Sequence, residues 1–347
     1  MISWRIQVDM LLPPELHDDS LYQLSLEQLA WADRKGLSEV WLSEHHDSLF
    51  ISSPLVLASA IAAVTENTRI VIGCLLLPLH DPIRVAEDHI MLSLVSKGRT
   101  EVVTGIGYVA HEFEMFGVSS RERGRIADQK LPIYISAMAG EAFEFDGRRG
   151  RVRPGPYRGE RPPVLGGGAV AASAKRAARF CDGFAPADGD HKLVALYREE
   201  CVKLGRKPGP VRRPTMPLYV HVTRDPEKAW SVLGPSFLHE INYYGKWAAE
   251  AGNARISYAA TPEELTDVAI VRSSPAYAVV TPEQCIELAG KLPEGSYLCL
   301  RINKPGTHAE MSWESLELFA SEVLPHINVA RPEDIATPVV DAIPWRR

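Results

Sequence analysis

Three adjacent polar residues, Glu44, His45 and His46, follow the apolar run Val40-Trp41-Leu42. The apolar run is typical of a buried parallel strand, and the polar residues are typical of the loop just after it. An imidazole titrates near neutral pH and can therefore act as a general acid or base. The pattern favours an active-site loop. The competing interpretation places both histidines in solvent or at the cap of a following segment.

The glycine run Gly166-Gly167-Gly168 lies between the apolar residues 163–165 and an alanine-rich segment, residues 169–180. Glycines let a backbone approach a ligand closely, and the free N–H groups of a helix's first turn attract a phosphate. Ser173 lies one turn into this helix, where its hydroxyl can assist. Few positive side chains lie nearby, which favours one phosphate held by backbone groups, as in a mononucleotide. The alternative is a flexible strand-to-helix connection.

Two further loops also follow apolar runs. Leu79-His80-Asp81 follows residues 69–77, and Gly105-Ile106-Gly107-Tyr108 follows residues 101–104. A barrel of alternating strands and helices brings all such loops to the same mouth, where the chemistry of these folds takes place. The glycines after residue 104 lack the third glycine of a dinucleotide-binding fingerprint, which disfavours a Rossmann fold.

Neither a metal site nor a hydrolytic triad is predicted. Neighbouring residues such as His45 and His46 do not converge easily on one ion, and the sequence has no accompanying His-x-x-x-His or Cys/His spacing. It also has no Gly-x-Ser-x-Gly elbow. We expect His80, His89 and His111 to be hydrogen-bonded structural histidines.

The elements that must position these loops alternate along the chain. Strands are predicted at residues 6–10, 40–42, 69–77, 101–104, 163–165, 183–185, 217–222 and 296–301. Helices are predicted at residues 21–35, 54–64, 83–95, 121–135, 169–180, 193–204, 281–292 and 313–324, with a further helix beginning at residue 226. Eight alternating strands indicate an α/β fold of the (β/α)8 TIM-barrel type. Residues 1–330 are predicted to form this single domain, with insertions at about 108–160 and 236–275 and a tail at 331–347.

Composition excludes several classes of function. The 347 residues are 46% hydrophobic and 24% charged, with a formal net charge of −6. Because the basic residues are dispersed, nucleic acid and anionic membranes are not expected as partners. No apolar run approaches the roughly 20 residues of a membrane span, and the first residues lack the features of a signal peptide. Five scattered cysteines favour a reducing cytoplasm over a disulfide framework.

Together these motifs resemble the bacterial luciferase-like, flavin-dependent monooxygenases, a family of (β/α)8 barrels. The resemblance runs from about residue 6 to residue 327. It rests on Glu44-His45-His46, on Gly105-Ile106-Gly107, and on residues 76–88, 96–99, 112–117, 163–168, 177–183 and 316–325.

The resemblance implies a bound FMN whose ring lies against the end of the third strand, at Cys74, Leu75 and Leu76. Residues 73–76 are where members of the family often have a non-proline cis peptide bond. The family's essential histidine corresponds to His45, with His46 beside it and Glu44 available to orient it. The remaining implied flavin contacts are Gly105, Ile106, Gly107, Gly166, Gly167, Gly168, Ala169, Val170 and Ser173.

Two departures from the family pattern concern the phosphate. Ile106 stands where some members have an arginine, and Ala169 stands where the phosphate loop usually has a serine. Phosphate binding then depends on backbone N–H groups, and the affinity for FMN is expected to be weak. An oxygenase that receives reduced FMN from a separate NAD(P)H:flavin reductase tolerates weak binding.

Two alternatives remain open. A deazaflavin-dependent oxidoreductase of the same superfamily transfers hydride without oxygen, but its motif tends to have a single histidine after the acidic residue. The second alternative is a flavin-binding protein without turnover. The aromatic residues between Phe237 and Tyr258 either line a pocket for a small apolar substrate or pack outside the barrel. A homodimer is expected, with residues 54–64 as a candidate interface.

Overall fold

The structure is a computed structural model that describes residues 1–8, 20–46, 51–187, 191–252, 263–303 and 309–335. Its strands are β1 (Ile2–Val8), β2 (Glu39–Leu42), β3 (Arg69–Leu76), β4 (Thr100–Gly105), β5 (Phe143–Phe145), β6 (Arg148–Gly150), β7 (Val164–Gly168), β8 (Gly183–Pro186), β9 (Tyr219–Val222), β10 (Tyr277–Val280), β11 (Tyr297–Arg301) and β12 (Val329–Ala330). Its helices are α1 (Ser20–Arg34), α2 (Pro54–Val64), α3 (Pro82–Val95), α4 (Ala110–Met115), α5 (Arg123–Met138), α6 (Ala171–Phe180), α7 (His191–Lys203), α8 (Pro226–Glu250), α9 (Val268–Arg272), α10 (Pro282–Lys291) and α11 (Ala309–Leu318).

One parallel sheet organises the chain. Its hydrogen-bonded order is β10-β9-β11-β1-β2-β3-β4-β7-β8, with β12 paired to β1, and all these pairings are parallel. A parallel bridge between Phe184 and Val211 lies at the β8 end of this path. Parallel strands alternating with helices confirm the predicted α/β barrel class.

Alternate residues of each strand face two different layers. Trp4 and Ile6 of β1 belong to the main hydrophobic cluster, together with helix residues such as Ala58 and Ala177. A second cluster joins Val71, Val103 and Leu165 from neighbouring strands on the opposite face. A sheet buried on both faces explains why the strands have continuous apolar sequences.

Local sequence signals for helix caps and turns agree with the structure. Asp81 accepts hydrogen bonds from the first N–H groups of α3, and Thr281 caps α10 with Pro282 at the first helical position. Asp146 and Gly147 have positive φ angles and join the antiparallel hairpin β5–β6, and Asp-Gly is a sequence typical of such a turn.

The sequence prediction was wrong in the second half of the chain. Strand β10 was not predicted, and α8 continues to Glu250, well past the helix start recognised at residue 226. The predicted end of the first strand at Met10, the residues Asp47 and Tyr258, and tail residues 336–347 lie outside the described residues. Within the described ranges, no helix is long and apolar enough to cross a membrane.

A buried charge cluster lies at the amino ends of the strands. Glu39 and Arg69 begin β2 and β3, Glu101 is the second residue of β4, and Arg5 is paired in register with Glu39. Arg5 Nε lies 2.7 Å from Glu39 Oε1, Arg69 Nη2 lies 2.8 Å from Glu101 Oε2, and Arg212 contacts both carboxylates. In barrels this end contributes to stability, whereas the carboxyl ends carry the chemistry.

Candidate active site

Glu44 connects two strand ends and two imidazole rings at the carboxyl end of the sheet. Its Oε2 accepts a hydrogen bond from the backbone N–H of Leu76, the last residue of β3, at 2.6 Å. Its Oε1 lies 3.0 Å from His46 Nε2 and 2.6 Å from His80 Nε2. The side chain of Glu44 is fully buried.

The pKa of Glu44 is determined by opposing effects. Burial alone would raise it, because a carboxylate loses hydration in the interior. Hydrogen bonds from His46, His80 and the Leu76 backbone, together with the positive charge of His80, instead lower the pKa to about 2. Glu44 is therefore an anion at neutral pH and a strong acceptor for both rings.

Glu112 holds His45. Its Oε1 lies 3.0 Å from His45 Nδ1 and accepts a hydrogen bond of 2.9 Å from the backbone N–H of His46. Glu112 is fully buried on α4, and its second oxygen, Oε2, has no hydrogen-bond partner among the described residues. An imidazole that contacts a carboxylate through one ring nitrogen has its orientation and tautomer fixed.

Aromatic side chains surround His45. The ring of Trp247, from the last part of α8, lies with its centroid 4.8 Å from that of His45. Tyr108 and Tyr244 approach edge-on, each at 6.2 Å. Burial raises the pKa of Tyr108, and the nearby Glu112 and Cys74 raise it further, so its hydroxyl stays protonated. The wall around His45 is thus mostly apolar.

The end of β3 contains the cis peptide bond Gly73–Cys74, inside the stretch 73–76 that the family resemblance singled out. A Cβ placed on Gly105 would lie 3.0 Å from Cys74 Cβ, and one on Gly167 would lie 3.1 Å from Cys74 Sγ. Only glycine therefore lets β4 and β7 approach Cys74 this closely. Burial raises the pKa of the Cys74 thiol to about 12, with a further contribution from Glu44.

Gly168 ends β7 just before α6. It has a φ of +146°, and a Cβ there would lie 2.6 Å from Ser173 Cβ. Val170, Ala171 and Ala172 at the helix start are exposed. Ser173 is buried, and its hydroxyl donates a hydrogen bond to the Val170 carbonyl oxygen at 2.6 Å. The exposed first turn is accessible to an anion, whereas the Ser173 hydroxyl is already hydrogen-bonded within the helix.

The structure brings many of the sequence-predicted residues together. Glu44 accepts a hydrogen bond from the Leu76 backbone, Leu76 is paired in register with Gly105, and a Cβ on Gly167 would lie 3.1 Å from Cys74 Sγ. Leu75 instead points its side chain into the main cluster between sheet and helices. Ile106, Gly107 and Ala169 are only partly buried, next to these strand ends.

One prediction about an individual side chain was wrong. Glu44 does not orient His45; it contacts His46 and His80, and Glu112 takes the expected role. The reason is the two-residue alternation of extended chain, which directs Glu44 and His46 to one side and His45 to the other. His80 is hydrogen-bonded as predicted, and its partner is Glu44 of this cluster. His89, in contrast, is buried at 2.6 Å from the Tyr134 hydroxyl.

Sequence reasoning missed Glu112 and Trp247. Glu112 lies within segment 112–117, on which the family resemblance partly rests, and its position three residues before the end of α4 gave no separate signal. Trp247 belongs to the aromatic segment for which the sequence allowed two interpretations. The segment either lines a substrate pocket or packs outside the barrel. In the structure this part of α8 lies against His45.

The sequence profile of the luciferase-like monooxygenases matches residues 7–292. The chain belongs to this family. Limonene 1,2-monooxygenase of Rhodococcus erythropolis is 23% identical over 322 residues, which cover 87% of this chain and 81% of that protein. A shorter match, 30% identical over 137 residues, covers 39% of this chain and 39% of an uncharacterised protein of Sinorhizobium fredii. This luciferase-like chain is therefore a flavin-dependent oxidoreductase.

Solved structures of the same fold include both flavin and deazaflavin enzymes. The oxygenating constituent of 3,6-diketocamphane monooxygenase from Pseudomonas putida, in complex with FMN, superposes with a TM-score of 0.69 at 18% identity, covering 95% of this chain and all of that one. An F420-dependent secondary alcohol dehydrogenase in complex with an F420–acetone adduct gives 0.68 at 16% identity, covering 94% of this chain and all of that one. At these identities the likeness shows the fold alone.

Proposed function

We propose that this luciferase-like protein is the oxygenase of an FMN-dependent monooxygenase system, which uses reduced FMN and O2 to oxygenate a small apolar substrate. The observation that carries the proposal is His45, a nearly buried imidazole held by Glu112 and enclosed by aromatic rings at the carboxyl ends of the strands. An imidazole fixed in a largely dry pocket suits proton transfer to or from a bound substrate.

The residues present fit a flavin. Gly105 and Gly167 carry no side chain beside Cys74 at the strand ends, which suits a flat ring. The exposed start of α6 after Gly168 offers backbone N–H groups to a phosphate. Bound FMN would supply the electrons that activate O2. His45 would exchange a proton at its Nε2, while Glu112 fixes the ring through Nδ1.

The aromatic wall supports an apolar substrate. Trp247, Tyr244 and Tyr108 present rings around His45, and two of them belong to one helix, α8. Such surfaces bind small hydrophobic molecules and exclude water. The relative that acts on limonene is an oxygenase of an apolar substrate, which agrees with this class.

A separate NAD(P)H:flavin reductase is the partner that we propose. The family neighbour from Pseudomonas putida is described as an oxygenating constituent, so its reduced flavin has another source. Ile106 and Ala169 occupy the positions at which other members of the family have an arginine and a serine near the phosphate. Weak, backbone-dependent binding suits a flavin that is exchanged with a reductase.

Titration of the flavin-free protein tests the cofactor. We expect FMN and FMNH2 to bind more tightly than riboflavin, and FMNH2 to support oxygen uptake, measured by absorbance and an oxygen electrode. Gly168→Ala, which strains the backbone at a φ of +146°, should remove the preference of FMN over riboflavin. Gly290→Ala is the matched control, because a Cβ there meets nothing within 4 Å.

The same titration separates the alternatives. Tight binding of a deazaflavin without flavin-dependent oxygen uptake would contradict the proposal and favour the hydride-transfer branch, represented among the structural neighbours by the F420-dependent dehydrogenase. Binding of FMN and FMNH2 without any oxygen uptake would favour a flavin-binding protein without turnover.

We also expect a homodimer in which α2 forms the interface. This helix exposes two apolar side chains, Val56 at 70% and Val64 at 42%. Val56→Asp should convert the dimer to monomers, as measured by size-exclusion chromatography with light scattering. Val202→Asp on α7 is the control, since Val202 is equally apolar and 68% exposed. A wild-type protein that is monomeric at micromolar concentration contradicts the expectation.

A further inference from the structure

Helix α8 contacts the sheet at more than one strand. The ring of Phe237 lies with its centroid 4.6 Å from that of Tyr219 on β9 and 4.6 Å from that of Tyr277 on β10. Trp247, later on the same helix, lies 4.8 Å from His45 in the loop after β2. In the sheet, β11 and β1 separate β9 from β2. The helix therefore crosses part of the sheet, and its last part reaches the histidine of the candidate site.

An ion pair between Glu240 and Arg301 joins α8 to the sheet between these two contacts. Arg301, the last residue of β11, donates a hydrogen bond from Nη1 to Glu240 Oε1. The exposed fraction of the side chain is 5% for Glu240 and 10% for Arg301. Glu240, Tyr244 and Trp247 follow the spacing of one helix face. The face of α8 that carries the ion pair is thus the face that carries the aromatic wall around His45.

Two separate groups of apolar side chains hold α8 on either side of Glu240. Before Glu240, Phe237 packs in a cluster with Tyr219 of β9. After Glu240, Trp247 packs in a different cluster with Val109. Because the two clusters share no described residue, the first half of the helix can keep its place while the second half moves. A hydrogen bond between charged groups also fixes a distance and a direction, which apolar contacts do not.

We propose that Glu240 is a positioning residue of the active site, whose ion pair with Arg301 holds the second half of α8 where Trp247 and Tyr244 cover His45. This role rests on the proposed function, in which the aromatic wall binds an apolar substrate and excludes water. Glu240 acts through the helix and not by contact with the reacting atoms. Its removal should move the wall away from His45 while the rest of the chain stays folded.

A purely stabilising role for the ion pair makes a different prediction. If Glu240 only stabilised the fold, its loss would make global unfolding more frequent, and all buried side chains would become accessible together. If Glu240 positions α8, accessibility increases at His45 and not at buried residues elsewhere. His89 separates the two cases, because it is fully buried on α3, against the hydroxyl of Tyr134 on α5.

The experiment measures the modification of histidine rings by diethyl pyrocarbonate in flavin-free protein. Mass spectrometry of the peptides gives the rate at each ring, and fragment ions distinguish His45 from His46. The reagent attacks an imidazole only where it can reach the ring, so the rate reports accessibility. In Glu240→Gln the rate at His45 should rise at least about tenfold, the scale of losing a hydrogen bond between charged groups. The rate at His89 should stay unchanged, and Trp247→Ala gives the rate at an uncovered His45.

Glu227→Gln is the matched control, because Glu227 lies on the same helix and its ion pair with Arg272 is exposed. It should leave the rates at both histidines at the wild-type value.

Arg301→Met is a second variant for the case that Glu240→Gln does not fold with the guanidinium still buried. In Arg301→Met, Glu240 can take up a proton and become neutral, so the cost of burial is smaller. The rate at His45 should again rise, with the rate at His89 unchanged. Glu240→Asp keeps the carboxylate and should therefore react more slowly at His45 than Glu240→Gln does.

The proposal is overturned if His45 reacts at the wild-type rate in both Glu240→Gln and Arg301→Met, or if His45 and His89 accelerate together in both. It also fails if Glu240→Asp reacts as fast as Glu240→Gln. Oxygen uptake with FMNH2 is measured separately on wild type. If His45 responds as expected but wild type shows no uptake, Glu240 positions α8 and the proposed oxygenase function fails. If uptake is found while the His45 rates stay unchanged, the oxygenase function stands and the role of Glu240 fails.

Discussion

Replacing His45 by alanine should lower substrate oxygenation by about 100-fold or more while leaving the protein folded. The ring lies at the strand-end mouth, is oriented through Nδ1 by Glu112, and faces aromatic side chains that exclude water. Alanine removes the general acid or base together with the ordering contact to Glu112. The measurement is product formation with reduced FMN and O2 on a substrate that wild type converts, with far-UV circular dichroism for the fold.

Two further variants make this result interpretable. His45→Gln preserves much of the side-chain volume and a hydrogen-bond donor, so it should fold even if alanine opens the buried pocket, and it should be equally inactive. His326→Ala, at an exposed histidine near the last helical turn, should keep wild-type turnover. If His45→Ala or His45→Gln turns over a true substrate at the wild-type rate, His45 is not the acid or base of the reaction.

The sequence located this site through local signals. An apolar run that breaks into Glu44-His45-His46 predicts a strand end followed by a loop, and the structure has β2 ending at Leu42. The glycines at 166–168 predicted the close approach of a ligand, which stays a prediction, and in the structure a Cβ on Gly167 would lie 3.1 Å from Cys74 Sγ. Both signals depend on the physics of a few consecutive residues, so they can be read without a structure.

The partners of these residues depend on distant parts of the chain. Glu112 is 67 residues away from His45, and nothing in the local sequence distinguishes its buried carboxylate from that of the exposed Glu114 two residues later. The four-residue strand β10 was missed for a related reason. Tyr277–Val280 is stabilised by its ladder with β9 and by the rings of α8, which only the folded chain brings into contact.

Nothing in the sequence indicated which charged residues lie at the amino end of the sheet and which lie at its carboxyl end. Arg5, Glu39, Arg69 and Glu101 are separated by about thirty residues each and look like ordinary surface charges. In the structure their side chains are all buried on one face of the sheet at its amino end. Acidic side chains thus serve two purposes here, since Glu44 and Glu112 orient histidines at one end and Glu39 and Glu101 neutralise arginines at the other.

Replacing Glu39 by glutamine should destabilise the protein by about 3–5 kcal/mol at neutral pH, because removing one partner leaves an uncompensated buried charge. Arg5 and Arg212 lie 2.7 and 3.2 Å from the Glu39 oxygens, so Arg5 would lose its carboxylate partner, and Arg212 would keep Glu101 as its carboxylate among the described residues. The free energy of unfolding from urea titrations measures the change. Glu287→Gln is the matched control, since its ion pair with Lys291 is exposed and should contribute nothing measurable.

The stability difference between wild type and Glu39→Gln depends on pH in a way that the pKa of Glu39 predicts. Burial would raise the pKa of Glu39, but the charges of Arg5 and Arg212, the hydrogen bond from Arg5 and the charge of Arg69 lower it to about 2, from 4.5 in an unfolded chain. A carboxylate whose pKa is lowered by folding stabilises the native state above the unfolded pKa, and this contribution is lost as the pH falls toward the folded pKa. The stability difference between wild type and Glu39→Gln should therefore be full above about pH 5 and shrink toward pH 2. A difference that stays constant from pH 7 to pH 3 would show that Glu39 stabilises the fold through packing and not through its charge.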